Sequence, residues 1–455
     1  MPILDQTLVP SHAAAPVPTD KPTRFRWAVL FVVALTYLLG AADRANLAVA
    51  LPYIKQDFHL TNAQAGAAAS IFFLGVTLIQ IPGSLLIQRI KVRAVMIGAI
   101  LLTSLATAVT GFANSASHLL VARMMLGVAE GPLPVGGLTT LNRWFPPRER
   151  ATAVGIFVAS FKLAPAFVPP VAAAIIYTYG WREVFFFMAI PGLFIAGLWL
   201  FVSDEPRGSK RTNAAEVNYI ETGTLEVVEK DPARDRPRPL LDTLMRARVV
   251  VEAPTNRAVL RSPHLWGCAI AYCLMSGLTY AILTWIPTYL VEVKKYSLMA
   301  MGFVASAPWA GAVLGSVIGG LMSDRLFGER RKPVMLVTAG STIFTMMALV
   351  MAPNNPVALA ALLMLTGFLL NIGYSTYVVY PMGLATKDRV PFAVSIVSTF
   401  GAIGGGISPV VVGLILDHSS WDTAFLFLSI CGVAAFAIVA LIIEPRRAAP
   451  SRIVA

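Results

Sequence analysis

Blocks of about 20 apolar residues, each long enough to cross a bilayer as a helix, recur from residue 27 to residue 443. They fall at about 27–52, 63–87, 94–113, 118–139, 151–178, 182–203, 263–290, 299–322, 333–352, 357–381, 392–415 and 422–443. Short polar stretches separate them, with one long exception at 204–262. The pattern predicts an all-α membrane protein with twelve transmembrane helices.

Composition agrees. Hydrophobic residues make up 56% of the 455, charged residues only 13%, and the mean hydropathy is +0.70. A soluble chain cannot cover itself with so few charges. The formal net charge of +12 invites a nucleic-acid reading, but in a membrane protein it reflects basic loops. The loops at Ala113 to Ser117 and Pro353 to Pro356 carry no charge. The alternate loops are basic, with Arg89, Lys91 and Arg93, then Arg143, Arg148 and Arg150, then Arg330, Arg331 and Lys332, then Lys387 and Arg389. By the positive-inside rule both termini are cytoplasmic, as an even number of spans requires. The polar residues at the start lack a signal-peptide core and read as a cytoplasmic tail. Cys268, Cys273 and Cys431 lie in apolar stretches, and the five His are scattered. No metal site, disulfide framework or cofactor is implied.

The two halves repeat. Gly83 and Gly320 open matching segments after spans 2 and 8. Arg150 matches Arg389, and Trp181 matches Trp421, all at nearly one offset. Such duplication is a transporter architecture with its binding site between the halves near the bilayer midplane. The expected organisation is a tail (1–26), a six-helix bundle (27–203), a linker (204–262), a second, pseudo-symmetric six-helix bundle (263–443) and a tail (444–455). The linker carries eleven Lys/Arg and ten Asp/Glu. About 214–230 reads as a surface helix, and the favoured reading of the whole is a solvated tether without a specific role.

These landmarks resemble the major facilitator superfamily. Gly320-Leu-Met-Ser-Asp324-Arg325, followed by Arg330-Arg331-Lys332, is similar to its loop motif. Three further segments resemble its anion:cation symporter branch, which includes D-galactonate, glucarate, hexuronate, tartrate and phthalate transporters and sialin. They are Ala42-Asp43-Arg44-Ala45-Asn46, Arg123 to Gly131, and Thr284-Trp285-Ile286-Pro287-Thr288-Tyr289. The resemblance implies the major facilitator fold and acids at the positions of Asp43 and Glu130 that carry protons.

A charge at bilayer depth costs about 2.5–3.5 kcal/mol on insertion scales, so each needs a partner or a purpose. Sorting the charges by position leaves Asp43, Glu130, Arg44, Arg123 and Lys162 well inside spans 1, 4 and 5. Arg123 and Glu130 share one face of span 4, about 10 Å apart, while the adjacent Asp43 and Arg44 point about 100° apart. A consistent arrangement pairs Asp43 with Arg123 and Arg44 with Glu130, which the resemblance also implies. A structural clamp between spans 1 and 4 is the plainer alternative. The excess positive charge marks the transported species as an anion. Lys162 stands where relatives usually have a neutral residue. It reads as a contact for a second anionic group, against the alternative that it snorkels or pairs with an acid.

The second half must supply neutral contacts. Candidates are Tyr280 and Trp285 in span 7, Asn371, Tyr374 and Tyr377 on one face of span 10, and Ser398 in span 11. Tyr stripes also serve as interhelical glue. Sugar-acid carriers carry a Tyr in span 2 and paired Asn in span 11. Here those places look like Val76, Ser398 and Ala402, which argues against a polyhydroxylated substrate. The run Gly404-Gly405-Gly406 reads as close packing or flexing rather than a phosphate loop. Pro132, Pro134, Pro165, Pro169 and Pro170 read as kinks.

The reading is therefore a proton-coupled importer of a small organic anion in a bacterial-type inner membrane, operating as a monomer among lipids without nucleic acid. The substrate is a carboxylate, with dicarboxylates, sulfonated acids, aromatic acids and sugar acids open and the last disfavoured. An exporter or exchanger of the same fold is the alternative, and a transport-like ligand sensor a more distant one. No nucleophile, metal cluster or facing pair of acids supports an enzyme.

Overall fold

The computed structural model describes residues 21–222, 242–243, 245–250, 252–327, 330–386 and 388–446. Twelve helices among them are long and apolar enough to cross a membrane. Spans 1 to 6 are Phe25–Asp57, Asn62–Arg89, Val92–Gly111, Ala116–Trp144, Pro147–Tyr179 and Trp181–Trp199. Spans 7 to 12 are Pro263–Glu292, Leu298–Leu321, Lys332–Val350, Pro356–Gly383, Val390–His418 and Trp421–Leu441. Large apolar side chains such as Phe31, Leu102, Phe194 and Phe344 are exposed. Water would not tolerate that much apolar surface, whereas lipid requires it.

The prolines differ in what they do to the helices that hold them. Pro132, which has no N–H to give the ladder, starts a new helical segment directly after Gly131, so span 4 is two helices in series. Pro165, Pro169 and Pro170 instead sit inside the uninterrupted helix of span 5. Span 10 breaks at Gly373 into a short helix and a 3-10 turn. That break was not expected. Of the glycine run in span 11, Gly404 packs hard on span 7, where a Cβ would lie 1.9 Å from the Cys273 carbonyl oxygen.

The halves are fastened together at the end away from the termini. Lys55 Nζ on span 1 donates to Glu292 Oε1 on span 7 over 2.8 Å. The main-chain N–H groups of Asn62 and Ala63, which open span 2, donate to Asp417 Oδ1 and Oδ2 over 2.7 and 2.8 Å. Orphan donors at a helix start are thus met by a carboxylate from the other half.

The linker corrects one expectation, because parts of it are docked on the bundles instead of forming a free tether. Its helix Ala214–Thr222 presents Glu216, which is fully buried. The Glu216 carboxylate accepts from Thr23 Oγ1, from the N–H groups of Phe25 and Arg26 over 2.9 and 3.1 Å, and from Arg26 Nη1 over 3.2 Å. Arg26 also reaches Glu149 in the first turn of span 5 over 2.8 Å. The predicted continuation of this helix over 223–230 lies outside the described residues, as do residues 1–20 and 447–455. Further along, Ala247–Val249 pairs in parallel with Glu444–Arg446. The Glu444 carboxylate caps span 9 by accepting from the N–H groups of Arg331 and Lys332 over 3.0 and 2.7 Å. The linker is therefore built into the base of both halves.

Candidate functional site

Spans 1 and 4 bring the expected acids and bases together. Arg44 Nη2 lies 3.0 Å from Glu130 Oε2, the ion pair the spacing called for. Arg44 Nη1 also donates to the Gly40 carbonyl, one turn back on its own helix, over 2.6 Å. Gly40 makes room for the acid: a Cβ there would lie 2.9 Å from Glu130 Oε2. Glu130 is buried and Arg44 keeps 15% of its side-chain exposure, so the base is the more reachable partner.

The second expected pair differs. Among the described residues no carboxylate lies within ion-pair distance of Arg123. Its Nη1 donates instead to the main-chain carbonyl of Asp43 over 3.4 Å. The Asp43 carboxylate takes a hydroxyl, Thr107 Oγ1 donating to Oδ1 over 3.0 Å. Adjacent residues on a helix face about 100° apart, and span 3 stands on the side where Asp43 points. Several buried charged atoms have no bonded partner among the described residues: Asp43 Oδ2, Glu130 Oε1, Arg44 Nε and Arg123 Nε. Asn46 is fully buried with neither end of its amide bonded. Such groups are costly in a closed core and fit a place that also takes a ligand or a proton.

Aromatic rings occupy the remaining space. The Arg44 guanidinium lies 4.4 Å from the centroid of Phe72 and 5.1 Å from that of Phe161. Arg123 faces the same Phe72 ring at 5.5 Å. A ring face partly offsets a cation's lost hydration. Tyr37 stacks on Phe157 at 4.2 Å and tilts against Phe161 at 5.0 Å. Arg44, Arg123, Phe72, Tyr280 and Thr284 line a small cavity between spans 1, 2, 4 and 7.

Lys162 belongs to a neighbouring group that crosses between the halves. Its Nζ donates to Ser316 Oγ on span 8 over 2.5 Å and to Asn371 Oδ1 on span 10 over 3.0 Å. It also stands 5.3 Å from the centroid of Tyr374. Tyr374 Oη donates to Ser276 Oγ over 3.3 Å, and its ring meets Tyr272 at 5.2 Å.

The other candidates divide. Tyr280 lines the cavity and meets Phe73 edge to face at 4.8 Å. Trp285 does not reach the cluster. It is buried within the second half, donates from Nε1 to the Pro409 carbonyl over 3.0 Å, and packs on Trp421. Tyr377 is fully buried against Tyr272 with its hydroxyl unbonded. Ser398 is exposed on span 11 and makes no side-chain hydrogen bond among the described residues. Residues not anticipated from the sequence are Phe72, Tyr37, Tyr272, Ser316 and Thr107. Single hydroxyls and rings in apolar spans carry no local signal, so only three-dimensional placement reveals them. No group of His, Cys, Asp and Glu suited to a metal occurs among the described residues.

Comparison with known proteins follows the same lines. A model of the Major Facilitator Superfamily matches residues 33–326 and 297–454. A probable galactarate/D-glucarate transporter of Bacillus subtilis is 27% identical, covering 95% of this chain and 95% of that one. A D-galactonate transporter of Escherichia coli is 28% identical over 91% of this chain and 94% of its own. A probable sulfoacetate transporter of Cupriavidus necator is 28% identical over 92% and 94%. Among solved structures, a bacterial homolog of the human lysosomal transporter Spinster, inward-facing and unoccupied, superposes with TM-score 0.72 at 17% identity. It covers 93% of this chain and 97% of that chain.

Proposed function

The chain belongs to the Major Facilitator Superfamily, and on that premise we propose that it imports a small organic anion together with protons. It is a multi-pass transporter, not an enzyme. The proposal places it in a bacterial-type inner membrane as a single chain with cytoplasmic termini, which the basic loops support. Relatives named for galactarate, glucarate, galactonate and sulfoacetate support an organic acid as cargo.

The observation that carries the reading is the Arg44–Glu130 ion pair beside the cavity. An anion entering the cavity competes with Glu130 for the guanidinium. A carboxylate left in a low-dielectric site without its cation takes a proton. Anion and proton thus load together, and their release on the other side restores the pair. Asp43, held by a hydroxyl rather than a cation, is the second proton carrier. Arg123 holds it in place through the main chain. Alternating access comes from parting of the contacts at Lys55, Glu292 and Asp417 while the termini end closes.

The test is uptake into liposomes holding the purified chain, with organic acids supplied outside. An inward proton gradient drives accumulation and the medium becomes more alkaline. Accumulation indifferent to that gradient, or acidification on uptake, overturns the coupling.

A further inference from the structure

Lys162 poses a question that the Arg44–Glu130 pair does not answer. It is a cation well inside span 5, half-buried, whose partners are all neutral: Ser316 Oγ, Asn371 Oδ1 and the face of Tyr374. No carboxylate among the described residues lies within ion-pair distance of it. The other interior charges are two acids and two bases, which balance. Lys162 therefore carries the excess charge of the site.

Charge balance then distinguishes two classes of cargo. With one proton on Glu130, or a second on Asp43, a monoanion leaves the cluster at +1 or +2. A dianion leaves it at 0 or +1, one unit nearer neutrality in either case. In a low-dielectric interior that difference is large. Phe161 sits under Arg44 at 5.1 Å, and Lys162 is its chain neighbour, about 100° further round the helix. Arg44 and Lys162 thus stand near one another, Arg44 beside Tyr280 and Thr284 of the second half and Lys162 on Ser316 and Asn371 of that half.

We propose that the cargo is a small dianion, one acidic group on Arg44 and the second on Lys162, which it reaches by displacing Ser316 and Asn371. This rests on the anion-symport reading above and refines it to a substrate class. It also gives the second charge a mechanical consequence. The bonds from Lys162 to spans 8 and 10 join the two halves, so a second anionic group alters the bridge between them as it binds. A monoanion leaves that bridge in place.

The test is binding to the purified full-length chain, read by thermal shift and calorimetry. The probes are matched pairs: sulfoacetate against acetate, succinate against monomethyl succinate, and phthalate against benzoate. In the wild type one dianion binds at least about 30-fold more tightly than its partner, the effect of a buried charge pair. Lys162→Gln weakens the dianion far more than the monoanion and so removes that preference, and Lys162→Arg restores most of it. Asn371→Asp supplies Lys162 with a carboxylate, keeps the bridge between the halves, and also removes the preference. It decides the matter by itself if the Lys162 variants fail to fold. A preference that survives in Lys162→Gln or Asn371→Asp overturns the proposal, as does a wild type that favours the monoanion of every pair. Failure of the underlying reading shows differently: no anion binds the wild type, or Arg44→Gln binds as the wild type does.

Discussion

Lys55 Nζ and Glu292 Oε1 stand 2.8 Å apart at the end of the molecule away from the termini, tying span 1 to span 7. Both side chains keep some exposure, so the pair alone contributes about 0.2–1 kcal/mol. Asp417, bonded to the N–H groups of Asn62 and Ala63, fastens span 11 to span 2 beside it. Lys55→Ala with Asp417→Asn therefore shifts the chain toward opening at this end. Thr284 lines the cavity and offers a reporter. In sealed liposomes, a cysteine placed there reacts several-fold faster with an impermeant reagent added from that side than in the parent background. An unchanged rate means that closure does not rest on these contacts.

Trp285 and Tyr377 lie in the packing of the second half rather than at the cluster. Trp285→Phe removes the bond to the Pro409 carbonyl and lowers stability by about 1 kcal/mol. Tyr377→Phe deletes a hydroxyl that is buried and unbonded, so stability stays within about 0.5 kcal/mol or rises. Neither change moves substrate affinity by more than about twofold, well under 1 kcal/mol. Melting and binding curves on the two variants separate these outcomes. A large loss of affinity in Trp285→Phe would return that residue to the site.

The twelve spans were legible because bilayer thickness imposes a length and a composition on each helix. Asp43, Arg44, Arg123, Glu130 and Lys162 were legible because a charge is rare at depth. Which atoms meet was less so. Arg44 with Glu130 followed from facing positions on two helices. Asp43 with Arg123 did not, since Thr107 on span 3 offers the nearer partner and contributes no charge to the sequence pattern. Trp285, Tyr374 and Tyr377 look alike as aromatic residues in apolar spans. Only packing shows that Tyr374 meets Lys162 while the other two serve the core. The linker misled for a similar reason. Its charge density reads as solvated, yet Glu216 turns its charge on main-chain amides at the base of the first bundle, and Ala247–Val249 pairs with Glu444–Arg446 at the base of the second.

Glu444 gives that base a pH dependence. Burial raises its carboxyl above the ordinary glutamate range, although the N–H groups of Arg331 and Lys332 oppose the shift. An acid with a raised value holds its proton more firmly in the folded chain than in the unfolded one. Its contribution is full below the ordinary glutamate value and is lost as pH rises through the raised one. Glu444→Gln keeps an acceptor and removes the titration. The variant's melting temperature therefore falls less than the wild type's as pH rises across that window. Glu444→Ala leaves both amides at the start of span 9 unmet and costs about 1–2 kcal/mol at the pH where the contribution of Glu444 is full. Parallel slopes for wild type and Glu444→Gln would remove Glu444 as the titrating group.

Glu130 and Arg44 are asked for different things, and paired variants separate them. Glu130→Gln fills the same volume beside Gly40 and keeps an oxygen for Arg44, but it neither releases nor takes a proton. Anion binding and exchange of labelled for unlabelled anion across the membrane persist, because neither needs net proton movement. Uphill accumulation driven by an inward proton gradient disappears. Arg44→Gln removes the cation that both carboxylate and anion require. It leaves Glu130 buried without a counter-charge and weakens anion binding by about 30-fold or more. Exchange is then lost together with accumulation. Liposome assays of both activities on both variants distinguish the cases. If Glu130→Gln still concentrates the anion against its gradient, the proton travels by another group, and Asp43, whose carboxylate accepts from Thr107, is the residue to examine next.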